Sequence, residues 1–303
     1  MAKASPSIRI GFIGLGAMGR HVAANLQSAG HEVQAHDLRR VEGFPNWKAS
    51  AAEAARGCEV LFTSLPGPKE VSEIGPQVGS ALPSGAAWFD LSTNSPEVVR
   101  QIERGLQGIH FLDAPVSGGP RGAQSGKLAI WVGGDERVFE RFLPILRCIG
   151  DQPHYVGPIG AGTVAKLAHN LASFAVQAAL AEVFTLGVKS GVEPLALFRA
   201  LRQGATGRKR TFDRLAENFL PGDYDPPGFA LRLAHKDASL AIELAQKEGV
   251  PLRVGRIALE ELTEAMSRGW GERDFRVAMT LQEERAGVSV RVPAQDLAAA
   301  LKE

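Results

Sequence analysis

Between Ile8 and Val156 short apolar runs alternate with stretches of helical periodicity, and after Gly162 that alternation stops. Few folds are open to such a chain. Strand–helix–strand repeats build a mostly parallel sheet with crossover helices, and an uninterrupted series of helical patterns builds a separate α layer. The strand candidates are IRIGFIG (8–14), EVQAHD (32–37), EVLFTSL (59–65), AAWFDLS (86–92), HFLDAPV (110–116), AIWVGG (129–134) and PHYVG (153–157). Between them lie helix patterns such as GRHVAANLQSAG, with Gly30 as its stop, and SPEVVRQIERGL, with Ser95 as cap and Pro96 at the first helical position. Beyond the change come TVAKLAHNLASFAVQAALAEVFTLGVKS, EPLALFRALRQG, LRLAHKDASLAIELAQKEG, RVGRIALEELTEAMSRGWG and DFRVAMTLQEERAG. The expectation is an α/β domain over 1–160 followed by an all-helical domain over 161–303.

Composition narrows the partners. Thirty-four Lys plus Arg against thirty-three Asp plus Glu leave a net charge of +1, so no global field draws the chain to nucleic acid or to an anionic membrane surface. Any anionic ligand must be recognised locally. Cys58 and Cys148 make neither a disulfide framework nor a metal cluster, so no metal is expected and a reducing compartment is favoured. The stretch Leu167–Ala181 carries His169, Asn170, Ser173 and Gln177 and is too short and too polar to span a bilayer. The opening MAKASPSIRI lacks an apolar signal core. Together these point to a soluble cytoplasmic protein.

The strongest local signal is the turn Gly14-Leu15-Gly16-Ala17-Met18-Gly19, which follows a strand and opens a helix. In that context the first glycine permits a tight turn, the second lets the backbone approach a pyrophosphate, and the third allows close helix packing, while the helix N-terminus faces the negative charge. Asp37 ends the second strand, eighteen residues beyond Gly19, where a carboxylate would accept hydrogen bonds from the adenosine ribose hydroxyls. It would repel a 2′-phosphate, so taken alone it selects NAD. Arg39 and Arg40 lie just beyond it and would clamp a 2′-phosphate if Asp37 turned away, which keeps NADP open as the second cofactor.

FIGLGAMG at 12–19, DAPVSGGPRGAQSGKL at 113–128, GAGTVAKLAHN at 160–170 and KDASLA at 236–241 together resemble the β-hydroxyacid dehydrogenase family, which includes 3-hydroxyisobutyrate dehydrogenases and tartronate semialdehyde reductases. The resemblance spans nearly the whole chain. It implies an N-terminal Rossmann-like domain, a long connecting helix, and a helical C-terminal domain that contributes to the substrate site and to a homodimer or homotetramer. The implied activity is hydride transfer between a nicotinamide dinucleotide and a small β-hydroxy acid or its semialdehyde.

The resemblance assigns Lys166 and Asn170 to catalysis. Removing the hydroxyl proton of an alcohol needs a base, and a lysine serves if desolvation and the charge of an oxidised nicotinamide favour its neutral form. Asn170, four residues on, shares a helix face with Lys166 and is placed to hold the substrate or the lysine. His169 is a competing acid/base candidate. Ser117, Gly118 and Gly119 follow a strand, where a hydroxyl and exposed amides would cup a carboxylate. The resemblance makes them the substrate carboxylate site, although a simple turn into the next strand would use the same residues. By the same resemblance Leu65, Pro66, Ser92 and Thr93 line the nicotinamide approach, Lys236 contacts the cofactor, Asp237 lies nearby, and Phe229 stands close to the substrate. Ser92, Thr93 and Asn94 would equally serve as a capping turn before Pro96.

The chain departs from its relatives at Arg208, Lys209 and Arg210, a basic cluster where a glycine- and serine-rich stretch is common, and Arg121 directly follows SGGP. Near a substrate these charges would suit a second anionic group, as in 6-phosphogluconate dehydrogenases, although the chain is too short for the C-terminal half of those enzymes. The alternatives to this reading are an NADPH-using semialdehyde or glyoxylate reductase and a non-catalytic dinucleotide-binding scaffold, which would be expected to lack Lys166 or to carry an added basic domain. An imine reductase is a further alternative, against which Lys166 also speaks.

Overall fold

The computed structural model describes residues 7–189, 191–204, 213–247 and 252–301. The chain divides into two compact units, Met1–Ala168 and His169–Glu303. The first carries strands β1 (Arg9–Ile13), β2 (Glu32–His36), β3 (Val60–Thr63), β4 (Ala87–Asp90), β5 (His110–Asp113), β6 (Val116–Ser117), β7 (Ala129–Gly133) and β8 (Gln152–Gly157). Its helices are α1 (Gly19–Ser28), α2 (Ala51–Ala55), α3 (Pro68–Ala81), α4 (Pro96–Gly105), α5 (Gly119–Ser125) and α6 (Glu136–Leu146). A further helix, α7 (Ala161–Lys189), begins in the first unit and continues without a break into the second.

The sheet runs β2-β1-β3-β4-β5-β7-β6, with β8 paired to β7. The first five strands are parallel, whereas β7 runs antiparallel to β5 and β6. Strands buried on both faces read as continuous apolar runs, and here alternate residues feed two separate cores. Phe12, Phe62 and Phe89 are register partners on adjacent strands and stack on one face, while Leu61, Trp88 and Phe111 pack on the other. The chain steps from β1 outward to β2 and then back across to β3, so the strand order reverses at β1. In open α/β sheets that reversal opens a ligand crevice beyond the carboxyl ends of the strands.

In the first unit two expected segments come out differently. HFLDAPV is not one strand: β5 stops at Asp113, and β6 is a two-residue strand antiparallel to β7. The break falls at Pro115, which has no amide to donate to a ladder, although its carbonyl accepts from Trp131 N at 3.1 Å. The segment after β6 is not a bare turn either, since Gly118 caps a helix that starts at Gly119.

The first turn of α7 is held to the sheet by Asp113, which is 1% exposed. Its carboxylate accepts from Gly160 N at 2.7 Å and from Thr163 N at 2.6 Å. Those amides belong to the helix start, where no intrahelical acceptor exists for them. Burial pushes the Asp113 carboxyl above its usual range, and the amide bonds work against that shift. The approach is close enough to demand glycine, because a Cβ at Gly162 would lie 2.3 Å from Trp131 O.

The second unit adds α8 (Pro194–Gln203), α9 (Leu231–Lys247), α10 (Arg253–Ser267), α11 (Thr280–Ala286) and α12 (Ala294–Ala300) to the rest of α7. DFRVAMTLQEERAG was expected as one helix, but Phe275–Met279 forms a 3-10 turn and the α-helix begins only at Thr280. Asp274 explains the difference. Its carboxylate accepts from Gly228 N, Phe229 N and Arg276 N, and its backbone bridges antiparallel to Ala230. This draws the start of the segment into strand-like pairing.

Asp113→Ala leaves two buried amides without an acceptor. At about 1–3 kcal/mol for each unsatisfied group, the expected loss is at least ~2 kcal/mol, read as a lower urea midpoint with an unchanged slope. Asp113→Asn keeps one acceptor oxygen and should recover part of the loss.

Candidate active site

The turn Gly14–Gly19 leaves the carboxyl end of β1, and its glycines do different work. Gly14 has φ +93°, and a Cβ there would lie 2.3 Å from Ser64 O. A Cβ on Gly19 would fall 1.9 Å from Gly14 O, so α1 can start against the turn only without a side chain. At Gly16 a Cβ would meet nothing within 4 Å: that face of the backbone is open. Gly16 and Ala17 are exposed and Met18 is half-buried, while Leu15 is buried and anchors the turn. The N-terminus of α1 has no side-chain cap and no acidic residue in its first turn, so its amides remain available to an anion. An open backbone face beside uncapped helix amides fits a dinucleotide pyrophosphate.

Asp37 closes onto this turn. Its Oδ2 accepts from Leu15 N at 2.6 Å and its Oδ1 from Arg39 N at 3.2 Å. The carboxylate therefore fixes the glycine turn. Leu38, Arg39 and Arg40 are exposed next to it.

Leu65 and Ser92 are brought together, because Leu65 N donates to Ser92 Oγ at 2.9 Å. Ser92 is 4% exposed, so its hydroxyl positions the loop after β3. Ser95, not Ser92, caps α4, accepting from Glu97 N. Half-buried Thr93 and exposed Pro66 complete the two loop ends. Beneath them lies Asp90, fully buried and not anticipated from the sequence. Thr63 Oγ1 at 2.8 Å and Ser92 N at 3.1 Å donate to its Oδ1, and Asn94 Nδ2 at 2.9 Å donates to its Oδ2. Trp88 Nε1 in turn donates to Thr63 Oγ1. Burial drives the Asp90 carboxyl up, and these hydrogen bonds oppose it. A carboxylate among Thr, Ser and Asn in DLSTN was the available signal.

Ser117 is half-buried, and Gly118 and Gly119 are exposed at the start of α5. Gly119 has φ +61°, and a Cβ there would meet nothing within 4 Å, so its backbone presents an open face. Arg121, on α5, is exposed.

Lys166 lies just over one turn into α7 and is only 9% exposed. His169 is exposed, which leaves Lys166 as the buried basic group of this helix stretch. In the second unit, Asn170 is 7% exposed and donates through Nδ2 to Asp237 Oδ2 at 2.5 Å. Lys236 Nζ stands 2.9 Å from Asp237 Oδ1. The sequence-derived residues Asn170 and Lys236 thus meet through one buried carboxylate. Phe229 is half-buried, stacked on Phe174 at 6.4 Å and edge-on to Phe275 at 5.9 Å, with its amide held by Asp274. Arg208, Lys209 and Arg210 lie outside the described residues.

Residues 9–157 match the NAD-binding domain of 6-phosphogluconate dehydrogenase, and residues 160–281 match the NAD-binding domain of NADP-dependent 3-hydroxyisobutyrate dehydrogenase. A 2-(hydroxymethyl)glutarate dehydrogenase of Eubacterium barkeri is 37% identical, covering 94% of this chain and 98% of the relative. The chain belongs to the β-hydroxyacid dehydrogenase family. An NAD-dependent L-serine dehydrogenase of Pseudomonas aeruginosa is 33% identical over 92% of this β-hydroxyacid dehydrogenase and 99% of the relative. The crystal structure of a Mycobacterium tuberculosis 3-hydroxyisobutyrate dehydrogenase with L-serine superposes with a TM-score of 0.83 at 30% identity, covering 91% of this chain and 99% of that one. This β-hydroxyacid dehydrogenase is accordingly an oxidoreductase that transfers hydride between a nicotinamide dinucleotide and a small hydroxy acid. Among its described residues no helix is long and apolar enough to cross a membrane.

Asp37→Asn retains an oxygen acceptor for Leu15 N and removes the charge. It is expected to raise kcat/KM with NADP relative to NAD by about tenfold, a gain of ~1.4 kcal/mol, without lowering Tm. Asp37→Ser removes the acceptor from the turn as well and should weaken binding of both cofactors, measured by fluorescence titration.

Proposed function

We propose that this chain oxidises a small β-hydroxy acid of the 3-hydroxyisobutyrate kind, or reduces the matching semialdehyde, with Lys166 as general acid/base. The observation that carries the reading is Lys166 itself: a lysine nine-tenths buried on α7, where the usual fate is a stem on the surface with its head in water. Asn170 follows four residues later on the same helix, and residues at that spacing share a face. When bound, the nicotinamide supplies or accepts the hydride. Neutral Lys166 Nζ takes the hydroxyl proton during oxidation, and the ammonium returns it to the forming alkoxide during reduction. Asn170 holds the substrate, and Phe229 supports its side chain from the aromatic cluster. Ser117, Gly118 and Gly119 receive the carboxylate through a hydroxyl and amides on the open backbone face.

Asp37 supports NAD as the preferred cofactor. Exposed Arg39 and Arg40 beside it favour a second reading, an NADPH-using semialdehyde or glyoxylate reductase. Free Cys58 and Cys148 suit a cytoplasmic enzyme, and the family resemblance adds a homodimer or homotetramer.

The test is a panel of 3-hydroxyisobutyrate, 2-(hydroxymethyl)glutarate, L-serine, glycerate, succinic semialdehyde, glyoxylate and 6-phosphogluconate with both cofactors, followed by nicotinamide absorbance. Failure to turn over any of them would sink the proposal. Lys166→Ala should keep dinucleotide affinity and lose a factor of about 10² or more in kcat, the scale for removing a general acid/base. Near wild-type turnover would transfer the role to His169. An analogue with its carboxylate replaced by a methyl group leaves the donors around Ser117–Gly119 unpaired. At roughly 1–3 kcal/mol each, two such donors predict a kcat/KM about a hundredfold lower, and equal rates on acid and analogue would remove the carboxylate site.

A further inference from the structure

Asp90 is the last residue of β4, and its register partner Thr63 is the last residue of β3. Both are fully buried, as are Trp88 and Asn94. The directions of the hydrogen bonds around the carboxylate follow from groups that have only one role open to them. Trp88 Nε1 can only donate, and it donates to Thr63 Oγ1 at 2.9 Å, which leaves the Thr63 hydrogen to point at Asp90 Oδ1. Ser95 N donates to Asn94 Oδ1 at 2.7 Å, and this turns the Nδ2 end of that amide toward Asp90 Oδ2. Ser92 N adds a second bond to Oδ1. Burial pushes the carboxyl up, and the side chains of Ser92, Asn94 and Thr63 together with the Ser92 amide hold it back. Among the described residues its hydrogen-bond partners are thus all neutral donors, a set that suits a carboxylate and not an acid or an amide.

Through Ser92 the network reaches the neighbouring loop, because Leu65 N donates to Ser92 Oγ at 2.9 Å. Ser64, one residue earlier, lies against the glycine turn: its amide donates to Ile13 O at 2.9 Å, and a Cβ on Gly14 would lie 2.3 Å from its carbonyl oxygen. The carboxyl ends of β1, β3 and β4 are therefore set against one another. The strand order is β2-β1-β3-β4. With Asp37 at the end of β2 read as the adenosine side and the glycine turn at the end of β1 read as the pyrophosphate site, the nicotinamide half of a dinucleotide extends across the ends of β3 and β4.

We propose that Asp90 is a positioning residue for the nicotinamide half of the cofactor: its carboxylate sets Ser92, and through Ser92 the Leu65 loop, so that the loops after β3 and β4 receive that half at one fixed separation. The proposal rests on the dinucleotide reading of the glycine turn and Asp37. Its chemical core is the donor set. An amide in place of the carboxylate would keep one oxygen for Thr63 and Ser92 N, but would turn an N–H toward the N–H of Asn94. Two buried donors cannot satisfy each other, so one of the loop ends has to give way. Reversing the pair restores the match, because an amide at position 90 donates to a carboxylate at position 94, whose other oxygen still accepts from Ser95 N.

The experiment titrates the full-length protein with NADH, whose fluorescence reports its nicotinamide ring, and by calorimetry with ADP-ribose, which has no nicotinamide. The proteins compared are the wild type, Asp90→Asn, and the double variant Asp90→Asn with Asn94→Asp. Asp90→Asn is expected to weaken NADH binding about tenfold, the scale of one hydrogen-bonded contact, and to leave ADP-ribose affinity unchanged; the double variant is expected to recover NADH affinity. Equal loss for both ligands would make Asp90 a structural residue only and overturn the proposal. Unchanged NADH affinity in Asp90→Asn would also overturn it, as would a double variant that binds NADH no better than the single one. If the single variant does not fold, a double variant that folds and binds NADH like the wild type supports the proposal, and one that has lost NADH affinity overturns it. If neither folds, Ser92→Ala, which removes the acceptor of Leu65 N and leaves Asp90 the donors Thr63 and Asn94, is held to the same split between the two ligands. No substrate is turned over in these titrations, so an unproductive substrate panel leaves them standing, whereas a wild type that binds neither ligand removes the dinucleotide reading itself and the proposal with it.

Discussion

One buried carboxylate determines where the longest helix begins. Asp113 stands at the end of β5 and gives its oxygens to the amides of Gly160 and Thr163. That interaction ties the first turn of α7 to the sheet and fixes where the helix that carries Lys166 begins. The constraint extends into the packing, since Gly133 and Gly162 must both be glycine for the helix to come so close: a Cβ on Gly133 would lie 2.5 Å from Asp113 Oδ1. A long lysine can be carried at a defined position only if the helix bearing it starts at a defined place.

The same logic recurs elsewhere in the molecule. Asp37 holds the glycine turn through Leu15, Asp90 organises the loop ends after β3 and β4, and Asp274 holds the Phe229 segment. Each carboxylate accepts hydrogen bonds that fix a loop or turn. Hydrogen bonds to a charged acceptor are stronger than neutral ones, which suits them to segments that have little hydrophobic contact of their own. The loops that carry the candidate functional residues therefore rest on acids, while the apolar clusters hold the strands and helices behind them.

Much of this was legible in the sequence where chemistry and spacing coincide. The strand-to-helix glycine turn, the Ser95–Pro96 helix start and the placement of Lys166 and Asn170 on one helix depend on local pattern, and local pattern is visible along the chain. The roles of Asp113 and Asp90 were not legible, because what a buried carboxylate does depends on which donors the fold delivers to it, and those come from residues up to fifty positions away. The break at Pro115 could have been read from the missing amide. The 3-10 turn at Phe275–Met279 could not, because its cause is the pairing of Asp274 with the Phe229 segment and its periodicity is that of an ordinary helix.

The unbroken course of α7 bears on which changes of length the chain can tolerate. Loops between helices absorb inserted residues at little cost, since closing a longer loop costs only about 0.6 kcal/mol per doubling. Inside α7 there is no such slack. One residue added or removed between Lys166 and Asn170 would turn everything beyond it by about 100° about the helix axis and shift it by about 1.5 Å. Asn170 would then lose the helix face it shares with Lys166, whereas its bond to Asp237, which also lies beyond the change, would travel with it. The interval from Gly160 to Asn170 therefore behaves as a ruler of fixed length, in which drift can change side chains but not their number.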